Sequence, residues 1–567
     1  MRINYLKLKT GAVVELKHKI SLFVGPNNSG KSQTLKDIRC LLDRRNSPFK
    51  TPVILKDDLS CFDIPSSIQE IFNDVSHKDS LNNVDHYTIE GINSSLTAKN
   101  NFEVYKPQLD SYDKNVDNRR HLFFQWFSNW YIALMDAETR LRLSSETPSF
   151  TPSETSPENL LQSLFLQTDI EKILRKAFID AFSQDIKLDI SQLTKLCIRV
   201  GNNVNTIPFD ARVAHTIAKE IPKIDDQGDG YRSFAGIVIG LLICKGRIIL
   251  LDEPEAFLHP AQAFFLGKWI GEHQDILGSQ LLICSHSSNF LCGILTGTKE
   301  LELFRLSRDG NETQYTPLTS DVANQLISNP ILSSQRVIEG IFHKGVVICE
   351  ADADRAVYQS VATICHNSNR EILFIHAHNK QTLAIVASVL KMTGTPVACI
   401  SDIDILRPEK DLDDVYSVLA EHPLETKLKN MQKELDDYID NREENDILNE
   451  LKDNVDELER QLTNGEHSLE GAKSALSRIL KETNKWSLIK REGVNSLEKA
   501  QKANAEQLIN QLALKGLFVV PVGELEGWIN LGVRKNKWII PALNLIYERK
   551  TPEPLINFVG DILAYFK

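Results

Sequence analysis

The chain lacks paired cysteines, long apolar runs and any excess of basic charge. Nine cysteines are scattered over 567 residues, and no two form a C-x-x-C pair. Most are flanked by Ile, Leu and Val, where cysteine behaves as a small buried hydrophobe. An odd, unpaired set argues against a disulfide-stapled secreted scaffold and for a reducing cytoplasmic setting. The first 20 residues contain no apolar core of a signal peptide. No apolar run approaches the ~20 residues that a spanning helix requires, so no membrane partner is expected. Lys+Arg number 65 against 76 Asp+Glu, a net charge of −11. That balance excludes a globally basic nucleic-acid coat, while a local basic groove stays open. The rest is the composition of a folded protein, 42% hydrophobic and 25% charged, long enough for two or more large cores.

Hydrophobic periodicity divides the chain. Residues 2–8, 13–17 and 20–24 read as strands, and 33–43 as a helix with Leu35, Ile38, Leu41 and Leu42 on one side. Residues 45–220 form a helical or mixed insert, in which the aromatic-rich stretch 121–143 reads as helix and 144–159 as a Ser/Thr/Pro/Glu loop. Order returns with a helix over 233–244, strands at 248–251 and 280–284, and a hairpin over 301–318 turning at Asp309-Gly310. A helical linker occupies 321–344. A second α/β unit fills 345–567, with strands at 346–349, 372–376, 397–400 and 517–522 alternating with helices. It is interrupted over 407–515 by charged heptad-like segments turning at Asn464-Gly465, the pattern of an antiparallel helical hairpin.

Two constellations carry chemistry. Gly25-Pro26-Asn27-Asn28-Ser29-Gly30-Lys31-Ser32 fits the phosphate loop G-x-x-x-x-G-K-[ST], between a strand and a helix. Gly25, Asn28 and Gly30 turn backbone N–H groups toward phosphate oxygens, Lys31 reaches the β/γ phosphates, and the Ser32 hydroxyl ligates Mg²⁺. About 220 residues downstream, four apolar residues lead into Asp252-Glu253. Asp252 is placed to hold the metal and Glu253 to polarise the attacking water. His286, at the end of the next strand, stands where a γ-phosphate sensor belongs. The second constellation is acidic. Glu350 and Asp354, then Asp402 and Asp404, then Glu524 and Glu526 follow three predicted strands of the second unit. Carboxylates gathered at the carboxyl edge of a parallel sheet repel one another unless cations lie between them. A two-metal centre for in-line attack on a phosphodiester is the chemistry this predicts.

Asp252-Glu253-Pro254-Glu255-Ala256-Phe257-Leu258-His259-Pro260 resembles the D-E-P-E-x-x-L-H-P run of ABC-type ATPases of the OLD (overcoming lysogenization defect) group. Gln227-Gly228-Asp229-Gly230-Tyr231-Arg232-Ser233 falls where such ATPases keep their signature motif, although it is not L-S-G-G-Q. The resemblance implies that Gln227, Gly230 and Ser233 meet ATP held by a second subunit, and hence a homodimer or higher homo-oligomer. The acidic spacing resembles a Toprim domain, E-G-x-x-D followed by D-x-D, with Ala351 in place of the glycine. That likeness implies that Glu524 and Glu526 complete the metal shell. It also implies that a lysine downstream faces the scissile phosphate; Lys535 and Lys537 are the candidates, with Lys537 preferred.

ATPase followed by Toprim is the OLD order. The fold class expected is therefore α/β: an ABC-type ATPase domain over 1–320 with an insert, then a Toprim-type parallel α/β domain interrupted by a helical hairpin. The function implied is an ATP-regulated endonuclease acting on DNA with Mg²⁺ or Mn²⁺, cytoplasmic and, by family analogy, serving anti-phage defence. Some relatives work with a co-encoded partner such as a retron reverse transcriptase and its small DNA. The competing reading is an ATP-driven DNA clamp or scaffold of the chromosome-maintenance kind, whose Toprim-like unit only binds.

Overall fold

Strands that are wholly buried at the centre of each sheet build the two sheets on which the candidate sites stand. In the computed structural model the chain is described except for residues 43–50, 75, 81–83, 209, 320–321, 323–324, 327–334, 369–370, 408–409, 441–443, 465–468, 483–484 and 534. The fold divides into two units, Met1–Ile327 and Ser328–Lys567.

The first unit is organised by a six-stranded sheet in the order Glu312–Leu318, Glu302–Asp309, Ile20–Val24, Gln280–Cys284, Ile248–Asp252, Ile132–Met135. All neighbours run parallel except the hairpin Glu302–Asp309 with Glu312–Leu318. Ile20–Val24 and Gln280–Cys284 are buried at every position, as expected of parallel strands covered on both faces. The phosphate-loop helix is Lys31–Leu42, close to the expected span.

The stretch expected as helix over 121–143 is different. It breaks into the helix Val116–Trp126, a 3-10 turn at Ser128–Trp130, the edge strand Ile132–Met135 and the helix Ala137–Leu143. Ile132-Ala133-Leu134-Met135 is fully buried and pairs in register with Ile248–Leu251. Tertiary burial between sheet and core therefore overrides a weak local helix preference. Around it the 45–220 region is mixed rather than purely helical. It holds a three-stranded antiparallel sheet, Ser76–Asp79, His86–Ile92 and Lys99–Tyr105, and a second one made of Thr147–Pro148, Lys195–Val200 and Ile186–Asp189. Phe62, Phe123, Phe124, Phe127 and Tyr131 join the same core as Ile38 and Phe23.

The second unit carries a four-stranded, all-parallel sheet in the order Ile372–His376, Gly345–Cys349, Val397–Ser401, Leu517–Val519. The last strand stops at Val519, short of the expected Val522. Between the third and fourth strands the chain departs into helices. Thr426–Asp440 buries Leu428, Met431 and Leu435. Glu444–Thr463 and Leu469–Glu482 meet through Leu451, Leu458, Ala475 and Ile479. Beyond 468 the helical stretch consists of Leu469–Glu482, Lys485–Glu492 and Lys499–Ala513. The turn expected at Asn464-Gly465 lies at the edge of the described residues.

Candidate nucleotide site and acidic crevice

The phosphate loop leaves the strand Ile20–Val24 through Gly25, whose φ of +136° only glycine adopts readily. A Cβ there would stand 2.2 Å from the Leu306 carbonyl oxygen, so the loop needs glycine twice over. Asn28 is left-handed as well, with φ +60°. The Lys31 ammonium is 3% exposed and donates to the carbonyls of Gly25 (2.7 Å) and Pro26 (2.8 Å). Burial pushes it down to about 8. Ser32 Oγ donates to Asp252 Oδ1 at 2.9 Å, joining the two residues expected to share a metal ion. Burial raises the Asp252 carboxyl against that hydrogen bond.

Glu253 follows with φ +49°, a left-handed conformation that costs a non-glycine residue about 1–3 kcal/mol. Its N–H donates to Cys284 O at 2.8 Å, and its Oε1 lies 3.5 Å from His286 Nε2. Burial and the neighbouring Lys31 charge push the His286 imidazole down to about 4, so it is neutral at physiological pH. Glu255 orders the loop beneath: its Oε1 accepts from Ser285 Oγ (3.0 Å) and from the His286 N–H (2.6 Å). These groups border a cleft of about 670 Å³, whose walls include Asn28, Lys31, Ser32, Ile54, Glu253 and His286. That size suits a nucleotide, and the Ser32–Asp252 oxygen pair suits a hard cation such as Mg²⁺.

The signature-like residues stand elsewhere. Gln227 and Gly230 are partly exposed at the start of the helix Asp229–Ile243 and do not line the cleft. Ser233 is 0% exposed, and its Oγ accepts from the buried guanidinium of Arg140 at 3.2 Å, so its hydroxyl is engaged within its own unit. Arg140 had no sequence signal, being one arginine in the run Thr139-Arg140-Leu141-Arg142.

In the second unit the acids follow three strand ends. Glu350 continues from Gly345–Cys349, Asp402 and Asp404 from Val397–Ser401, and Glu524 and Glu526 from the loop after Leu517–Val519. Glu350 Oε1 accepts from Ser401 Oγ and from the Asp402 N–H (3.1 Å). Asp354 Oδ2 accepts from the Ala351 N–H at 2.9 Å, capping the helix Asp352–Cys365. The loop around Asp402 is tied to the third acidic loop by the Ile403 N–H donating to Gly523 O at 2.9 Å. Burial first, then neighbouring carboxylates, raises Asp354 to about 6 and Asp402 to about 8. Burial raises Glu350 too.

Two lysines enter this crevice. Lys490, from the inserted helix Lys485–Glu492, lies 2.8 Å from Asp404 Oδ2 and 3.5 Å from Asp402 Oδ2. Lys535 lies 2.9 Å from Glu524 Oε2 and 3.4 Å from Glu526 Oε2. Lys537, preferred from sequence, is exposed and pairs with none of these acids, whereas Lys535, the other candidate, pairs with two. Lys490 was missed because it sits in a charge-rich insert far along the chain from the strand ends. Among the described residues, no three His, Cys, Asp or Glu side chains converge into a ready metal cage. The donor chemistry nevertheless fits a hard divalent ion, and Asp404 Oδ1 is a buried oxygen without a hydrogen bond.

Residues 205–292, which include the signature-like turn, Asp252-Glu253 and His286, match the family described as "AAA domain, putative AbiEii toxin, Type IV TA system". The chain thus carries an ATPase domain of the AAA/ABC type. No curated protein matches. Among solved structures, the chain is similar to an Smc head bound to the C-winged helix domain of ScpA, at 13% identity over 56% of this chain and 98% of that one, with a TM-score of 0.34. It is also similar to a Pyrococcus furiosus Smc head with an extended coiled coil bound to the C-terminal domain of ScpA (11% identity, 57% and 98% covered, TM-score 0.29). A third is the SMC head domain from Thermotoga maritima (11% identity, 56% and 100% covered, TM-score 0.28). Among the described residues, no helix is long and apolar enough to cross a membrane.

Proposed function

We propose that the chain is an ATP-regulated, divalent-metal-dependent DNA endonuclease of the OLD type, an anti-phage defence effector working as a homo-oligomer. The observation that carries the reading is the gathering of Glu350, Asp354, Asp402, Asp404, Glu524 and Glu526 at the carboxyl edge of one parallel sheet, in a chain that also holds a phosphate loop. Within the first unit, Lys31 and the loop N–H groups bind the phosphates, Ser32 and Asp252 hold Mg²⁺, and Glu253 orients water. Neutral His286 beside Glu253 senses the γ-phosphate as a hydrogen-bond donor. Within the second unit, Glu350, Asp402 and Asp404 are the core ligands, with Asp354, Glu524 and Glu526 around them. Divalent ions bound there supply a Lewis acid and an activated water for phosphodiester attack. Lys535 is the residue best placed to meet a phosphate oxygen.

The test is a paired assay on one preparation: plasmid nicking with Mg²⁺ or Mn²⁺, and phosphate release from ATP. Glu350→Ala or Asp402→Ala should abolish nicking and spare phosphate release. Nicking by Glu350→Ala at the wild-type rate sinks the nuclease reading.

One observation favours the second reading, an ATP-driven DNA clamp or scaffold. Lys490 and Lys535 already pair with four of the carboxylates, as in a purely structural ion-pair network. A chain that hydrolyses ATP, binds DNA and never nicks it decides for that reading.

A further inference from the structure

We propose that Arg140 is a positioning residue that couples the start of the helix Asp229–Ile243 to the backbone of Glu253. This rests on the ATPase reading of the first unit and adds a part that the motifs do not contain.

Arg140 sits on the short helix Ala137–Leu143, directly after the edge strand Ile132–Met135. Its side chain is wholly buried, and every guanidinium nitrogen has a partner. Nη1 donates to the carbonyls of Met135 (3.1 Å) and Asp252 (2.5 Å), Nη2 to the carbonyl of Glu253 (2.9 Å), and Nε to Ser233 Oγ (3.2 Å). One rigid fork therefore holds three things: the edge strand, the acidic pair, and the first turn of the signature-like helix.

The partners are not arbitrary. Glu253 is held at φ +49°, and its carbonyl is gripped by Arg140 while its N–H is gripped by Cys284 O. Those two bonds fix the two peptide units on either side of the Glu253 Cα, from which its carboxylate reaches the cleft. A Cβ on Gly236, in the same helix as Ser233, would stand 2.2 Å from Arg140 O. The two helices thus meet at backbone distance, and a shift of one moves the other. A displacement near the helix start, such as a nucleotide on a second chain would cause there, reaches Glu253 through two direct hydrogen bonds, Ser233 to Arg140 and Arg140 to the Glu253 carbonyl.

The experiment is steady-state phosphate release with ATP affinity measured separately, on wild type, Arg140→Gln, Arg140→Lys, Ser233→Ala and the Arg140→Gln/Ser233→Ala double variant. The relay predicts that Arg140→Gln lowers kcat by about tenfold or more with KM and ATP affinity nearly unchanged. Arg140→Lys should recover part of that loss, since one ammonium can still reach a carbonyl. Ser233→Ala should lower kcat by roughly two- to fivefold alone and have no further effect in the Arg140→Gln background. Thermal melts check folding. Should Arg140→Gln not fold, Ser233→Ala decides alone: reduced kcat at constant KM supports the relay, and wild-type kcat overturns it. The relay is also overturned if a folded Arg140→Gln turns over normally, if the loss lies in KM, or if the two substitutions are additive. A wild type that releases no phosphate overturns the ATPase reading and the relay with it. An active wild type matched by Arg140→Gln overturns the relay alone.

Discussion

Asp37→Asn isolates a buried carboxylate that shapes the nucleotide cleft without touching its chemistry. Asp37 lies on the phosphate-loop helix and is 1% exposed. Its Oδ1 accepts from Gln33 Nε2 (2.8 Å) and the Val53 N–H (2.9 Å), and its Oδ2 from the N–H groups of Ile54 (2.6 Å) and Leu55 (3.0 Å). This carboxylate thus substitutes for a β-partner along 53–55, and Val53 and Ile54 line the cleft. An asparagine has one acceptor oxygen in place of two. Its better orientation keeps Ile54 and Leu55 satisfied, lets the Gln33 amide flip, and turns an NH₂ toward the Val53 N–H. Val53 is exposed, so water can reach its orphaned N–H and that loss costs about 1 kcal/mol or less; two surviving bonds lose their charge assistance, so the total is about 1–3 kcal/mol. Denaturant unfolding with Mg²⁺ and without nucleotide measures that loss. ATP affinity should fall as well, because the segment that forms one wall is no longer held. ATP at 100 times its Kd should restore about 2.7 kcal/mol to whichever form binds it. A variant within ~0.5 kcal/mol of wild type, with unaltered ATP affinity, refutes the account of this wall.

Lys31→Ala should lose ATP binding or turnover, whereas Glu253→Gln should bind ATP and hydrolyse it ~10²–10⁴-fold more slowly; normal hydrolysis by the glutamine variant removes Glu253 from the role of base. His286 is held near 4 in the fold against an ordinary 6.5, so the unfolded chain takes up its proton first as pH falls. Stability is therefore unaffected above ~6.5 and decreases between there and ~4, by roughly 1–2 kcal/mol at pH 5, and His286→Asn should remove that part of the acid sensitivity in pH-dependent unfolding. In nicking assays Lys535→Ala should be far more damaging than Lys537→Ala; equal effects would undo the reassignment. Light scattering with ATP should give a dimer or higher multiple, and monomer under all conditions would remove the composite-site argument.

The parts of the molecule that were legible in sequence are those where backbone and chemistry coincide. Gly25 to Ser32 is readable because phosphate binding demands a particular turn, and the turn demands glycine. Asp252-Glu253 and the acids after 349, 401 and 522 are readable because a buried parallel strand is a continuous apolar run, and its end is where polar residues resume. The edge strand Ile132–Met135 was hidden for the opposite reason. It is four residues long, set among aromatics that also suit a helix, and its identity comes from pairing with Ile248–Leu251, which no local pattern records.

Charged residues that work through spatial partners leave still less trace. Arg140, which grips carbonyls, and Lys490 and Lys535, which pair with acids, are identified by what lies opposite them in space, and a lysine in a Lys/Glu-rich insert looks like solvated surface until its neighbours are known. The same physics hides the side-chain partner of Ser233. A serine at a helix start suggests phosphate binding when only the helix is visible. Its burial against Arg140 is decided by the packing of Ala137–Leu143 on Asp229–Ile243, elements separated by about 90 residues of chain. The motifs legible in sequence therefore line the cleft and the crevice, while the groups that pair with them lie between motifs. That division places the most informative substitutions at Arg140 and Lys535 rather than at the glycines of the loop, whose replacement would only report that the fold needs them.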